Sequence, residues 1–77
     1  MNAPDSGHRI RCHLGALLET RGITLTELSR RTGITKANLS ILKNDRARAV
    51  RFSTLTAICD ALECTPAELF TIAPEQE

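Results

Sequence analysis

Residues 22–44 read GITLTELSRRTGITKANLSILKN, and the triplet GIT at residues 22–24 returns at residues 33–35. In each copy the glycine can adopt the left-handed backbone that ends a helix, and the threonine hydroxyl can cap the next helix. The isoleucine between them precedes the cap, where an apolar side chain packs onto the helix that follows. The repeat therefore predicts two short helices joined by a tight turn, a helix-turn-helix.

The first copy has the stronger start signal. Thr24 is followed three residues later by Glu27, the spacing of a capping box, whereas the second copy has Asn38 in that place. Leu28 and Leu39 then stand at the position where the isoleucine before each cap expects an apolar partner. The sequence predicts helices over residues 25–32 and over residues 36 to about 44.

Apolar spacing outside the repeat predicts three further helices. The first runs from about residue 9 to residue 21, with Ile10, Leu14, Leu17 and Leu18 at helical spacing. The fourth follows Ser53 as its cap, and the sequence TPAE at residues 65–68 starts a short fifth helix over about residues 66–70. Residues 44–51, NDRARAVR, are predicted to form an extended basic loop.

The predicted fold is therefore all-α, with five helices and the helix-turn-helix at the second and third. Seventy-seven residues suffice for one small domain, which we place at residues 8–72. Residues 1–7 are expected to form a disordered tail, and residues 73–77 an acidic tail. Phe70, Ile72 and Ala73 form a small apolar set that serves either to cover the core or to hold a second copy.

The charge is divided along the chain. All ten Lys and Arg residues lie from Arg9 to Arg51 against three acids, a net charge of +7, and residues 52–77 carry five acids without a base, a net charge of −5. A basic stretch of this kind can bind phosphates, while the acidic end would be repelled by nucleic acid. Because the chain has two Phe and no Trp or Tyr, it lacks the aromatic surfaces on which single-strand binders stack bases.

The third helix has two predicted faces. Ile34, Leu39 and Leu42 form the inward stripe, so the opposite face is free to enter a DNA major groove and contact base edges. The side chains predicted to read bases are Lys36, Ala37, Asn38, Ser40 and Ile41. The side chains predicted to contact phosphates, which add affinity without sequence information, are Thr24, Thr35, Lys43, Asn44, Arg46, Arg48 and Arg51.

At this point the chain resembles a known family. Residues 37–44 (ANLSILKN), 51–55 (RFSTL) and 58–66 (ICDALECTP) are similar to compact phage Cro/repressor-type, or XRE-type, helix-turn-helix regulators. The resemblance spans about residues 10–70 and implies a five-helix lambda-repressor-like domain. It also implies a cytoplasmic transcriptional regulator, usually a repressor, that binds a palindromic operator in double-stranded DNA as a homodimer.

The chain departs from the family pattern at several positions. Leu25 stands where many relatives have a glutamine that contacts the DNA backbone. Lys36 and Ala37 stand where relatives read bases with glutamines, and Asp45 stands where a glycine often ends the third helix. The fold is therefore better specified than the individual DNA contacts.

Two other classes of function compete with DNA binding. The same fold could serve as a protein-interaction module, such as an antitoxin or an accessory subunit, since Ala37 and Ile41 are apolar. A zinc site or enzyme would need the set His8, Cys12, His13, Cys59 and Cys64, but the chain lacks a Cys-x-x-Cys pair. We expect no metal, no cofactor, no small-molecule substrate and no catalysis.

The cysteines and the hydropathy pattern bear on location. An apolar run of membrane-spanning length is absent from the sequence, and residues 1–7 do not have the form of a secretion signal. Three cysteines would leave one unpaired in a disulfide framework, which favours reduced thiols inside the core. These features predict a cytoplasmic protein without a membrane partner.

Overall fold

The computed structural model describes residues 8–74, which form five helices and one two-stranded antiparallel ribbon. In chain order the elements are β1 (Ile10–Cys12), α1 (Leu14–Arg21), α2 (Leu25–Thr32), α3 (Lys36–Lys43), α4 (Phe52–Leu62), α5 (Pro66–Leu69) and β2 (Phe70–Ile72). The predicted tail at residues 1–7 lies outside the described residues, as do residues 75–77 of the predicted acidic tail.

The helix-turn-helix forms as the repeated triplet predicts. The Thr24 hydroxyl accepts a hydrogen bond from the Glu27 N–H at 3.0 Å, and the Thr35 hydroxyl accepts one from the Asn38 N–H at 3.2 Å. Gly22 ends α1 with φ of 66° and Gly33 ends α2 with φ of 76°, a conformation in which a side chain would be strained. These local signals fix where both helices begin and where α2 ends.

The predicted capping box of α2 is wrong in one of its two bonds. The Glu27 carboxylate does not turn back to the cap but accepts hydrogen bonds from Arg30 Nε at 3.1 Å and Arg31 Nε at 2.7 Å. These bonds, that of Arg30 first, hold the pKa of Glu27 at about 2, below its usual 4.5. Two guanidinium groups one turn away are stronger donors than a single backbone amide. A complete box does form between Thr65 and Glu68 at the start of α5.

The first helix is shorter than predicted. It begins at Leu14 rather than near residue 9, because residues 10–12 pair with residues 70–72 in a register that sets Ile10 opposite Ile72. The ribbon is closed at both ends by backbone bonds, from His13 N–H to the Leu69 carbonyl at 2.7 Å and from Ala73 N–H to the Arg9 carbonyl at 2.8 Å. The same pairing ends the fifth helix at Leu69 rather than residue 70.

The fourth helix begins earlier than predicted. Ser53 does not cap it, since Phe52 is already helical and Arg51 is the cap residue, without a side-chain hydrogen bond. The Arg51 carbonyl accepts the Leu55 N–H at 2.9 Å, the first bond of α4. A serine cap contributes only about 1 kcal/mol, too little to set the start once the Arg51 carbonyl closes the first turn of α4, and Ser53 lies exposed within that turn.

The core is aliphatic and joins every helix. Nine side chains are buried, all within residues 8–74: Leu14, Leu18, Leu28, Leu39, Leu42, Ile58, Cys59, Leu62 and Leu69. Cys12 and Cys64 pack against this cluster, as predicted for reduced thiols, and burial raises the pKa of the Cys12 thiol. Because α2 contacts both α3 and α4, the core fixes the angle at which α3 is presented.

Across residues 8–74, none of the helices has the length and apolar character needed to cross a membrane.

Candidate nucleic-acid interface

Helix α3 has the two faces that its sequence predicts. Leu39 and Leu42 are buried, and Ile34 in the preceding turn packs partly against the core. With 3.6 residues per turn, the side chains opposite this stripe form a ridge that points away from the domain. We call it the outward ridge, and it consists of Ala37, Ser40, Ile41 and Asn44. Ser40 is partly buried and the other three are exposed, Ile41 by 44%.

The two lysines of α3 lie beside the ridge rather than on it. Lys36 Nζ donates to the Thr26 hydroxyl on α2 at 3.3 Å. The carbon chain of Lys43 lies over α1, with its Cε 3.2 Å from where a Cβ on Gly15 would be. Both lysines are exposed, and their charges lie on the side of α3 that faces α1 and α2.

The opposite side of α3 faces the basic loop, residues 44–51, across a groove. Thr35, Asn38 and Ile41 line the groove from α3, and Arg46, Arg48 and Arg51 line it from the loop. The structure thus brings together six of the twelve side chains predicted to contact DNA. Of the rest, Ala37, Ser40 and Asn44 lie on the outward ridge, Lys36 and Lys43 lie beside it, and Thr24 is exposed at the start of α2.

The loop arginines lack the side-chain partners that Arg21 and Arg30 have elsewhere in the fold. Arg46, Arg48 and Arg51 are exposed and form no ion pair with any acid among the described residues. By contrast, Arg21 donates to the Leu62 carbonyl at 2.7 Å, and Arg30 is paired with Glu27. The loop charges therefore have no competing partner to release before they meet an anion.

The start of α3 adds a second source of positive potential at the groove. Its first backbone amides lack partners inside the helix, and the helix dipole places a partial positive charge there. The Asn38 N–H donates to the Thr35 hydroxyl. The N–H groups of Lys36 and Ala37 therefore remain available to a ligand. Together with three unpaired arginines, this end of α3 is suited to an oxygen anion such as a phosphate.

Three features of this region were missed from the sequence. Thr26 contacts Lys36 across the two helices, and nothing in the local pattern links residues ten apart. Phe52 is 84% exposed directly after Arg51, and its residue type gives no sign of this exposure. Asp45 has a left-handed backbone, with φ of 62°, and its carboxylate reaches β1. The signal for Asp45 was present, since it stands where a glycine is expected.

The His and Cys residues that a zinc site would need make other contacts. His8 Nε2 donates to the Ala47 carbonyl at 3.2 Å, and His13 Nε2 lies 2.6 Å from the Thr71 hydroxyl. Cys59 is buried at the end of α4, with Cys64 beside it. Residues 8–74 contain no group of three His, Cys, Asp or Glu side chains arranged to hold a metal ion.

Comparison with known proteins identifies the family. Residues 13–75 match the model of the Cro/C1-type helix-turn-helix DNA-binding domain. The chain belongs to this family. It is 49% identical over 65 residues, 84% of the chain and 77% of the relative, to a Bacillus subtilis (strain 168) protein named as the HTH-type transcriptional regulator YozG. It also superposes on the crystal structure of the transcriptional regulator VanUg with a TM-score of 0.71 and 26% identity, covering 97% of this chain and 99% of that one.

Membership of the family confirms two expectations that the resemblance gave, the fold and the function. The fold is a small helical domain with the helix-turn-helix at α2 and α3, and the ribbon is a minor addition. The function is that of a DNA-binding transcriptional regulator. The individual contact residues remain predictions.

Proposed function

We propose that this regulator binds double-stranded DNA by placing α3 in the major groove and its basic loop on the adjoining sugar-phosphate backbone. The observation that supports the proposal is the groove that α3 shares with Arg46, Arg48 and Arg51. A helix in the major groove has phosphates on both of its sides, and the loop supplies unpaired cations on one side. Lys36 and Lys43 supply charge on the other.

The contacts divide by where the side chains lie. We propose that Ala37, Ser40 and Ile41 meet base edges at the centre of the groove, with Lys36 and Asn38 reaching bases from either side. Apolar side chains can contact a thymine methyl, and a lysine can donate to guanine O6 and N7. The proposed phosphate contacts are Thr24, Thr35, Lys43, Asn44, Arg46, Arg48 and Arg51.

As the simplest mode of regulation, we propose repression in the cytoplasm. Repression requires that the operator be occupied, which a domain of this fold can achieve without a cofactor and without catalysis. A reporter gene placed behind a selected binding site tests it: expression should fall when the protein is produced. A rise in expression would identify an activator instead.

We further propose that the protein binds a palindromic operator as a homodimer. One α3 reads only a few base pairs. When two copies bind successive half-sites, their free energies of binding add, so the affinity ratio between the operator and other sequences is multiplied. The ribbon offers a surface for the second copy, because Ile72 is 62% exposed and its pairing partner Ile10 is 39% exposed. Sedimentation should show a dimer that Ile72→Asp converts to a folded monomer. A wild-type chain that is monomeric both free and on DNA would exclude this part of the proposal.

The most direct test of the α3 surface is Ala37→Glu. Ala37 is exposed at the second position of α3, so glutamate adds negative charge at the N-terminal end of the outward ridge without disturbing the core. We expect loss of binding to a duplex selected from a random pool, because a carboxylate in the major groove is repelled by neighbouring phosphates and, as an acceptor, cannot bond to the acceptor atoms of guanine or thymine.

The chain supplies a matched control. Ala67 is exposed at the second position of α5, at the same place relative to its threonine cap. Ala67→Glu makes the same chemical change on the acidic part of the chain, and DNA affinity should stay within about twofold of wild type, the usual range for a neutral surface change. Equal losses in the two variants would show that charge alone, and not the position on α3, accounts for the effect.

Lys36→Ala tests the base reader named from the sequence. We expect specific binding to weaken by about 1 to 3 kcal/mol, with relaxed preference at one base pair. Urea unfolding should be unchanged, since the bond from Lys36 to Thr26 is an exposed one. Binding that is unchanged at every base pair would remove Lys36 from the set of readers.

One observation favours a protein partner as the alternative. Phe52, exposed by 84% beside the groove, is an apolar side chain of the type that protein interfaces bury. In that case the fold would act as an antitoxin or an accessory subunit. The salt dependence separates the two: DNA affinity falls steeply between low and moderate salt, whereas an apolar protein contact keeps its affinity.

A further inference from the structure

Asp45 occupies a backbone position that suits a glycine. It follows α3 with φ of 62°. Its N–H donates to the Leu42 carbonyl at 3.2 Å, and the next N–H, that of Arg46, donates to the Ile41 carbonyl at 2.9 Å. These two bonds end α3 in the way that a glycine usually does, and an aspartate is strained there. The turn by itself therefore does not explain why the residue has a side chain.

The side chain joins the loop to the ribbon. Asp45 Oδ1 accepts a hydrogen bond from the Cys12 backbone N–H at 2.7 Å, a length typical of a bond to a charged acceptor. The His13 N–H and the Arg9 carbonyl form hydrogen bonds to the segment of β2. Because backbone groups alternate in direction along a strand, the Cys12 N–H points away from β2. Without the Asp45 carboxylate the half-buried Cys12 N–H would lose this acceptor, and leaving such a donor unsatisfied is costly.

A second bond lies two residues further along the loop. His8 Nε2 donates to the Ala47 carbonyl at 3.2 Å. The segment around β1 thus holds the basic loop at residues 45 and 47, on either side of Arg46. Within the described part of the chain, residues 47–50 donate no hydrogen bond to another backbone carbonyl, so beyond the packing of Ala47 on the core these two attachments are the contacts that tie the loop to the segment around β1.

The carboxylate is used for the backbone and not for the neighbouring cations. Among residues 8–74, Asp45 forms no ion pair with Arg46, Arg48 or any other base. An acid within a phosphate-binding loop lowers the attraction for DNA. Its presence is explained if the bond to β1 contributes more to binding, by ordering the loop in advance, than the negative charge subtracts.

We propose that Asp45 is a positioning residue for DNA binding: its hydrogen bond to the Cys12 N–H fixes the basic loop beside α3. The inference rests on the proposed function, because the loop arginines are taken to meet phosphates. The ordered loop then presents Arg46 and Arg48 without the entropy cost of first arranging them. Because phosphates carry no sequence information, the benefit applies equally to specific and unrelated duplexes.

Two substitutions separate the hydrogen bond from the charge. Asp45→Asn keeps an oxygen that can accept from Cys12, and asparagine tolerates the left-handed backbone. Asp45→Gly relieves the backbone but removes the acceptor. Both remove one negative charge, so a difference between them is not electrostatic, and faster exchange of the Cys12 amide separates loss of the side-chain bond from the wider backbone freedom of glycine.

We expect Asp45→Asn to bind duplex DNA at least as tightly as wild type at a fixed salt concentration. Asp45→Gly should bind about 3- to 10-fold more weakly than Asp45→Asn, the range for one lost hydrogen bond, and by the same factor on a selected and on an unrelated duplex. In urea unfolding, the equilibrium constant for unfolding of Asp45→Gly should exceed that of wild type by no more than the same 3- to 10-fold.

Backbone dynamics without DNA give an independent readout. In Asp45→Gly the ¹⁵N relaxation of residues 46–50 should show greater mobility, and the Cys12 amide should exchange faster, with both close to wild type in Asp45→Asn. If wild type and Asp45→Asn bind DNA and Asp45→Gly binds as tightly, or its loop stays as rigid, the positioning role is wrong. A wild-type chain that binds no duplex at any salt concentration overturns the proposed function itself, and this inference with it.

Discussion

Replacing the three loop arginines with alanine should change the salt dependence of DNA binding by a calculable amount. Arg46, Arg48 and Arg51 are exposed, line the groove beside α3 and have no ion-pair partner in the described structure. Each can therefore neutralise one phosphate and release counterions on binding. For duplex DNA the slope of log K against log salt changes by about 0.9 for each phosphate contact.

The triple variant should thus lose about 2.7 from the magnitude of the slope for each bound chain. Between 50 and 200 mM salt, a fourfold change, this corresponds to a difference of about 1.6 decades, or roughly 40-fold, in how far the affinity falls. The loss should be the same for selected and unrelated duplexes, because the contacts are to the backbone.

The assay is a titration of labelled duplex by fluorescence anisotropy at five or six salt concentrations, with far-UV circular dichroism to confirm the helices. Arg30→Ala is the control, because Arg30 is also exposed but is paired with Glu27 on α2, and its slope should match wild type. A triple variant whose slope stays within about half a unit of wild type would show that the loop does not contact phosphates. Unequal losses between duplexes would indicate base reading in the minor groove instead.

Three further predictions concern the fold. Gly22→Ala should lower the free energy of unfolding by about 1 kcal/mol, since its φ is 66°; a neutral result in urea would mean that the turn can relax. Gly15→Ala should raise it by about 0.5 kcal/mol, because an added Cβ meets only the flexible chain of Lys43; a loss of stability would show that Lys43 cannot yield. The pKa of Cys64 is raised from 9.0 to about 11, by burial and then by Cys59. The folded state thus keeps a proton that the unfolded chain loses above pH 9, and stability should fall from pH 9 to 11. The fall should be smaller in Cys64→Ser, and equal falls would assign it to another group.

The helix-turn-helix could be predicted because its signals are local. A glycine able to reach positive φ and a threonine cap three residues before the amide it binds act within one turn of chain. For α2, Leu25–Thr32, the predicted and observed bounds agree. The inward stripe of α3 was equally predictable, since a period of 3.6 residues places Leu39 and Leu42 on one side whatever the rest of the fold does.

The ribbon could not be predicted in the same way. Residue 10 and residue 72 are at opposite ends of the described chain, and each strand has three residues, too few for a periodic signal. Ile10 also lies at helical spacing from Leu14, so the local pattern favoured a longer first helix. The pairing of the two ends decided the structure, and local propensity is weak against such tertiary contacts.

The candidate site was predictable in composition but not in arrangement. Exposure of Ala37 and Ile41 follows from the helix period alone. The directions of Lys36 and Lys43, towards Thr26 and Gly15, depend on how α3 packs on α2 and α1. The attachment of Asp45 to β1 depends on the unpredicted ribbon, which is why its role could be seen only in three dimensions.

The most direct test of the proposed DNA-binding surface is an NMR titration of the ¹⁵N-labelled protein with a duplex selected from a random pool. If α3 enters the major groove with the basic loop on the backbone, the largest amide shifts should fall on residues 35–38, 40, 41 and 44–51. The amide chemical shifts of α5 and β2 should change little on addition of DNA. Any change there should match the change that dimerisation causes in the free protein. Largest shifts on α5 and β2, with α3 unchanged, would contradict this mode of binding.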